Sequence, residues 1–292
     1  QAIVRELWVD DAKRITGIGY ERPDGHIEHL RCDALLLACN GFGGNTAMVR
    51  ELLPEMRDAT FGGHVGNDGS AITWGRALGA RLADLGGYQG HGSWAMPQGV
   101  LISWALMMEG GVQVNAQGER FHDETGGYSE ASVAVLAQPE GMAWNVIDDA
   151  LLPLAQTFPD FREAQAAGAC RRADSVDELA RLIGCGSRTL QGTLDVVVAS
   201  ARQQQPDVFG RRFSRALQAP FTAIRVTGAL FHTQGGLDID AQCRVLDAQG
   251  QPLPNLCAAG GAARGVSGNA VDRKSTRLNS SHVSESRMPS SA

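Results

Sequence analysis

A chain of 292 residues with 43% apolar and 20% charged side chains has room for one large domain or two ordinary ones around a sizeable core. Its net charge of −6 supplies no basic stripe to offset phosphate repulsion, which argues against a nucleic-acid partner. No stretch reaches the roughly 18 apolar residues of a membrane span, and no basic-then-apolar leader opens the chain at Gln1.

In chain order, Ala2–Val9, Arg14–Glu21 and Ile27–Leu30 read as three strands, with Pro23-Asp24-Gly25 as a turn between the last two. The continuous apolar run Asp33–Ala38 predicts a strand buried on both faces of a parallel sheet. It runs into Cys39-Asn40-Gly41-Phe42-Gly43-Gly44-Asn45 and a helix over about Thr46–Leu53. A strand, a glycine turn and a helix in succession bring backbone N–H groups toward a phosphate or a cofactor edge. A second helix is expected over Ser70–Leu78, capped by Asp68 or Ser70 and ended by Gly79.

From about Gly86 to Pro220 the pattern changes. Strands at Gly111–Asn115 and Trp144–Ile147 mix with helices at Ser129–Ala137, Leu151–Ala155 and Ser175–Leu182, without regular β–α alternation. That texture predicts a separate α+β domain. Strand character returns over Thr222–Asp240, at Val245–Gln251 and at Leu256–Gly260. The last residues, 272–292, contain seven serines and no periodic apolar face, so they are expected to be disordered. Arg273–His282 reads as translated sequencing adaptor and is excluded from the fold.

The 36 glycines cluster at 41–44, 62–69, 110–111, 235–236 and 260–268. Such clusters mark sharp turns or close backbone approaches. An extended cofactor and a turn-rich fold both produce them. Six cysteines, at 32, 39, 170, 185, 243 and 257, stand far apart without metal-ligand spacing, so no metal site is expected. Several sit in apolar strings such as Leu37-Ala38-Cys39, which predicts reduced structural thiols in a cytoplasmic protein.

Five local strings, taken in order, resemble the fumarate reductase/succinate dehydrogenase-like flavoproteins, which include the 3-ketosteroid dehydrogenases. They are Asp33–Asn45; Asn67-Asp68-Gly69 with Gly79-Ala80; Val114–Glu124; Phe231–Gly236; and Pro254–Gly261. The resemblance implies an α/β fold: a partial FAD-binding domain of Rossmann type with an inserted α+β capping domain. The domains implied are 1–86 and 221–271 for FAD and 87–220 for the cap. The family's N-terminal GxGxxG string and its C-terminal flavin-lining segment have no counterpart here, so the chain is expected to be cut at both ends.

The cofactor implied is FAD, with Asn40, Gly41, Gly43, Gly44, Asp68, Gly69, Gly235, Gly260 and Gly261 beside it. The reaction implied is hydride transfer between flavin and a C–C bond next to a carbonyl or carboxylate, with the electron partner left open. His91 and His232 match the family's substrate-binding histidines. Tyr128 stands where dicarboxylate reductases carry a proton-donating Arg, and Trp104 and Met107 replace a carboxylate-pairing Glu and Arg. Those exchanges disfavour fumarate and point to an apolar carbonyl compound, with Tyr128 as acid or base. Met96, Trp94, Trp104, Met107 and Met108 read first as ordinary core, and Arg264 as the partner of a surface carboxylate. A non-catalytic fragment unable to hold FAD is the alternative reading. A sugar- or peptide-binding module lacks the aromatic platform it needs, since the chain has three tyrosines.

Overall fold

The computed structural model describes residues 2–266 and 268; the serine-rich tail from 272, with its expected disorder, lies outside the described residues. The chain begins with β1 (Ile3–Val9), β2 (Ile15–Glu21), β3 (Ile27–Arg31), β4 (Leu35–Leu37), α1 (Thr46–Leu52), β5 (Thr60–Phe61) and α2 (Ser70–Leu78). It continues through β6 (Leu82–Ala83), β7 (Tyr88–Ala95), β8 (Val100–Leu101), α3 (Ala105–Met108), β9 (Val112–Val114), α4 (Tyr128–Leu136) and β10 (Met142–Asp148). Next come α5 (Leu152–Ala155), α6 (Pro159–Ala166), β11 (Cys170–Ala173), α7 (Val176–Ile183) and α8 (Ser187–Gln203). The last strands are β12 (Phe221–Thr233), β13 (Gly236–Leu237), β14 (Arg244–Leu246) and β15 (Pro252–Ala258).

Two compact units result. Among the described residues, the first comprises the chain up to Pro54, Gly63–Gln89 and the residues from His232 on, and the second Glu55–Gly62 and Gly90–Phe231. The expected boundaries at 86/87 and 220/221 therefore move to 89/90 and 231/232. The reason is β12. It pairs with β10 over seven residues, Met142↔Thr227 to Asp148↔Phe221, with β11 at Cys170↔Ile224, and with β5 at Ala229↔Thr60. A strand bonded along both edges to the second unit stays in that unit until its ladder ends.

In the first unit, β1, β2 and β3 form an antiparallel meander, and β14, β15 and β4 a second three-stranded sheet. The turn expected at Pro23-Asp24-Gly25 is present, with Gly25 at φ 83° and its amide on the Arg22 carbonyl. β4 pairs in parallel with β15 through Leu35↔Leu256 and Ala258↔Leu37. The expectation of a strand buried on both faces is corrected here. β4 has three residues and among the described residues lies at a sheet edge, so only Leu37 turns inward while Leu36 is 57% exposed. α2 ends at Gly79 as expected, in the left-handed region at φ 81°. At its other end the N-cap is Gly69, also at φ 81°, and the Asp68 carboxylate accepts the Ser70 amide at 2.9 Å.

The second unit is a seven-stranded sheet of order β8-β7-β12-β10-β9, with β11 and β5 also on β12. Its core includes Val112, Val114, Val146, Ile147, Ile224 and Val226, all fully buried. α7 has the expected capped start, where Ser175 Oγ accepts the Glu178 amide at 3.2 Å. α6 and α8 have no counterpart in the sequence reading. α8 carries Gly, Thr and three successive valines, all poor helix formers, and its buried face is Leu190, Leu194, Val197 and Ser200.

Asn255 joins the two three-stranded sheets of the first unit. Its side chain accepts the Ile15 amide at 2.9 Å and donates to the carbonyls of Ile15 (2.8 Å) and Asp33 (2.7 Å), while its backbone sits at φ 50°. Asparagine tolerates that left-handed geometry better than most residues. We expect Asn255→Ala to cost about 3 kcal/mol, from three lost hydrogen bonds and added backbone strain. Urea unfolding measures it, and a cost below about 1 kcal/mol would show that the bridge is dispensable.

Candidate functional site

The first unit gathers glycine strings that are far apart in sequence. The Gly69 amide donates to the Gly41 carbonyl at 3.1 Å and the Gly44 amide to Asn67 at 2.9 Å. The Phe42 amide donates to Thr233 Oγ1 at 3.2 Å. A Cβ on Gly261 would lie 2.9 Å from the Gly41 nitrogen, and one on Gly41 would lie 2.0 Å from Thr233 Oγ1. A Cβ on Gly235 would lie 2.3 Å from the Asp84 carbonyl. These glycines thus let the chain approach itself, so segments 40–44, 67–69, 233–236 and 260–261 can meet. Of the two readings of the glycine clusters, close approach of the chain to itself accounts for Gly41, Gly235 and Gly261.

Two features of this cluster are suited to a bound group. Gly260 has φ 61° and nothing within 4 Å of where its Cβ would stand. Gln234, 2% exposed, has a side-chain nitrogen without a protein partner among the described residues. A buried donor left without an acceptor costs about 1–3 kcal/mol, which a ligand acceptor would relieve. Gln234 was not among the residues expected from sequence; a polar residue between Thr233 and two glycines was the only signal. Beside the end of β4 lies a cavity of about 930 Å³, lined in part by Leu36, Ala38, Cys39, His64, Asp68 and Ser70. That volume suits a cofactor-sized ligand. Asn40 sits at φ 62° next to this turn. Arg264 pairs with Asp84 and lies 3.5 Å from Asp238, the carboxylate partnership expected for it. His232 belongs to the first unit and is exposed near the end of β12.

The second unit brings His91 and Tyr128 together. Their rings stack at 5.2 Å between centroids and 20° between planes. Trp104 meets the imidazole edge-on at 5.7 Å and Phe231 at 6.1 Å. The placement follows from the string Gly90-His91-Gly92. A Cβ on Gly92 would lie 2.8 Å from Ala131, and one on Gly90 would lie 2.3 Å from Ser132 Oγ, so only glycines allow β7 to lie this close to α4. Ser129 closes the contact: its hydroxyl donates to the Gly90 carbonyl at 3.0 Å and accepts the Gly90 amide at 3.2 Å. Tyr128 is the first helical residue of α4, after Gly127 at φ 126°.

The Ser93 amide donates to His91 Nδ1 at 3.1 Å. Nδ1 therefore bears no proton, and the neutral ring carries its hydrogen on Nε2. Burial pushes the imidazole down to about 3, so at neutral pH it is uncharged and its Nε2–H can donate a hydrogen bond. Trp104 and Met107 are core, as expected; Met108 is 51% exposed and is not.

The loop before Tyr128 hangs on one carboxylate. Glu124, fully buried, accepts from Arg120 Nε at 2.9 Å and Nη2 at 2.6 Å, from Arg211 Nη1 at 2.8 Å and from the Gln113 amide at 3.0 Å. Its backbone carbonyl accepts the Trp104 indole N–H at 2.9 Å. Asp207 pairs with Arg120, and the guanidinium of Arg211 lies over the Phe213 ring at 4.1 Å. Burial opposes ionisation of Glu124, but the Arg120 and Arg211 bonds outweigh it and hold the carboxyl below its ordinary range.

Removing that charge leaves Arg120 and Arg211 undercompensated in a dry interior, so Glu124→Gln should cost about 3–5 kcal/mol in urea unfolding. A neutral effect would make the cluster dispensable. His91 gives a pH-dependent expectation. Folded, it stays neutral down to about pH 3; unfolded, it binds a proton below about 6.5. The unfolded state thus holds the extra proton between those values, and this contribution is complete above about pH 6.5 and lost as pH falls. Lowering the pH from 7 to 5 should cost the native chain about 2 kcal/mol more than it costs His91→Gln. Equal losses in unfolding titrations would show that His91 is not held neutral.

Comparison with known proteins places the chain. It is 29% identical over 268 residues to the "Probable fumarate reductase Ifc3" of Shewanella frigidimarina (strain NCIMB 400), covering 91% of this chain and 45% of that protein. It is 26% identical over 311 residues to the 4-oxocyclohex-2-ene-1-carboxylate 5-dehydrogenase of Sinomonas cyclohexanicum, covering 91% and 51%. The solved open conformation of a flavocytochrome c3 fumarate reductase superposes with a TM-score of 0.79 at 28% identity, covering 92% of this chain and 47% of that one. The chain spans about half the length of these relatives. The model of the FAD binding domain matches residues 1–273, and the chain belongs to that family, whose cofactor is FAD.

Proposed function

We propose that this chain is part of an FAD-dependent oxidoreductase that moves hydride between the flavin and a C–C bond next to a carbonyl. The first unit is read as the FAD-binding part. Asn40, Gly41, Gly43, Gly44, Asp68, Gly69, Gly235, Gly260 and Gly261 would line the cofactor, and Gln234 would supply its unused amide hydrogen. The second unit is read as the capping, substrate-receiving domain. Bound FAD supplies a two-electron hydride donor or acceptor.

The observation that carries the substrate class is the uncharged surround of His91. Its ring is walled by Tyr128, Trp104 and Phe231, and Arg120 and Arg211 of the same unit are already committed to Glu124. A dicarboxylate would bring two charges to a place without a free cation on these residues, a desolvation cost with no return. A ring ketone suits it better. The His91 Nε2–H donates to the carbonyl oxygen and polarises the adjacent C–C bond, and Tyr128 moves the proton at the neighbouring carbon. His232 is assigned a second donor role. The Sinomonas relative is named for a ring ketone of this kind, which supports the reading.

The test uses the flavin-loaded enzyme with 2-cyclohexenone and fumarate as competing oxidants. We expect turnover with the cyclic enone and little with fumarate. Tyr128→Phe should keep bound FAD and lose about 10²–10⁴-fold in turnover, the usual worth of a positioned acid or base. Faster reduction of fumarate, or unchanged turnover in Tyr128→Phe, rejects the assignment. A chain that takes up no FAD would instead favour a non-catalytic fragment.

A further inference from the structure

Beneath His91 the interior of the second unit contains a line of polar side chains with no part in the chemistry above. Gln113, Asn145 and Ser93 are 0%, 1% and 0% exposed. Gln113 lies on β9 and Asn145 opposite it on β10, as cross-strand partners. Their neighbours Val112, Val114 and Val146 are fully buried and apolar, so both amides are surrounded by core.

The contacts in this line have one consistent polarity. His122 Nε2 meets Gln113 Oε1 at 2.8 Å, which makes the imidazole the donor. Gln113 Nε2 then donates to Asn145 Oδ1 at 2.8 Å and to the Gly92 carbonyl at 2.7 Å. Asn145 Nδ2 donates to Ser93 Oγ at 2.6 Å, and the Ser93 amide donates to His91 Nδ1 at 3.1 Å. Gln113 also donates its own backbone amide to Glu124, so it couples the ionic cluster to the strand that carries His91.

We propose that Gln113 and Asn145 are positioning residues that hold Gly92 and Ser93 so that the Ser93 amide keeps His91 as its Nε2-protonated tautomer. This rests on the proposed role of His91 as carbonyl donor. Core stability alone does not account for the pair, because two satisfied amides contribute little more than an apolar pair of the same shape. What they add is direction. Gln113 fixes the Gly92 carbonyl and Asn145 fixes the Ser93 hydroxyl, one on each side of the Gly92–Ser93 peptide. The N–H of that peptide is the group aimed at Nδ1. Without it, Nδ1 and Nε2 compete for the one ring proton, and a share of molecules presents a lone pair where the substrate oxygen needs a donor.

Histidine ¹⁵N NMR of the full 292-residue chain reads the tautomer without any cofactor. In the native chain we expect His91 to show a protonated Nε2 and a bare Nδ1. In Gln113→Met, a close match in shape, we expect signals averaged between both tautomers. Turnover of the flavin-loaded enzyme should fall on the order of tenfold to a hundredfold, with KM changed less than about threefold, as expected for a misaimed group. Should Gln113→Met fail to fold, Ser93→Ala reads the same coupling, since it removes the hydroxyl Asn145 holds and leaves the Ser93 amide. A His91 that stays wholly Nε2-protonated in a folded variant overturns the inference, whatever the activity. A mixed tautomer with unchanged turnover leaves the relay standing and removes His91 from the donor role instead.

Discussion

The carboxylate of Glu124 is the constraint on which the second unit's site depends. A bare carboxylate in a dry interior is untenable, and Glu124 is tolerated because Arg120, Arg211 and the Gln113 amide all donate to it. Each donor comes from a different part of the unit: Arg120 from the turn after β9, Gln113 from β9 itself, and Arg211 from the segment before β12. The backbone carbonyl of the same residue adds the Trp104 indole. One ion therefore fixes the loop that ends at Tyr128, the ring that walls His91, and the strand whose Gln113 side chain reaches Gly92. Buried ion clusters rarely add much net stability over apolar packing, but they tolerate few alternative arrangements. The benefit here is geometric.

The first unit solves a different problem, bringing four chain segments into contact at backbone distance. Side chains would prevent it. Gly41, Gly235 and Gly261 leave room for a neighbouring backbone or for Thr233, which itself accepts the Phe42 amide. A cradle built this way has little freedom to deform, which suits the binding of a rigid, extended group. Two of its features suit a bound group: the open space beside Gly260 and the side-chain nitrogen of buried Gln234, without a protein partner among the described residues.

Within the second unit, electrostatics separates His91 from the arginines. The imidazole of His91 stays neutral because it is desolvated among aromatic rings, whereas the arginines nearby in sequence keep their charge by pairing with Glu124 and Asp207. A neutral donor beside a phenol matches a carbonyl; a fixed cation would match a carboxylate.

The sequence alone was enough for the flavoprotein resemblance, the capped start of α7, the Gly79 stop of α2, the turn at Gly25 and the pairing of Arg264 with a carboxylate, because each depends on a few adjacent residues or on an ordered set of strings. It also singled out His91 and Tyr128, though not that their rings stack. Tertiary structure decided the rest. α8 was hidden because packing of Leu190, Leu194 and Val197 overrides a poor local propensity. The extent of the second unit was settled by the ladders of β12, which join residues as distant as Thr60 and Ala229. The glycine clusters could not reveal whether they faced a ligand or the chain itself, since both need the same missing Cβ. Gln113 and Asn145 looked like ordinary strand residues, because the direction of a hydrogen bond and the tautomer it selects exist only once β7, β9 and β10 lie side by side.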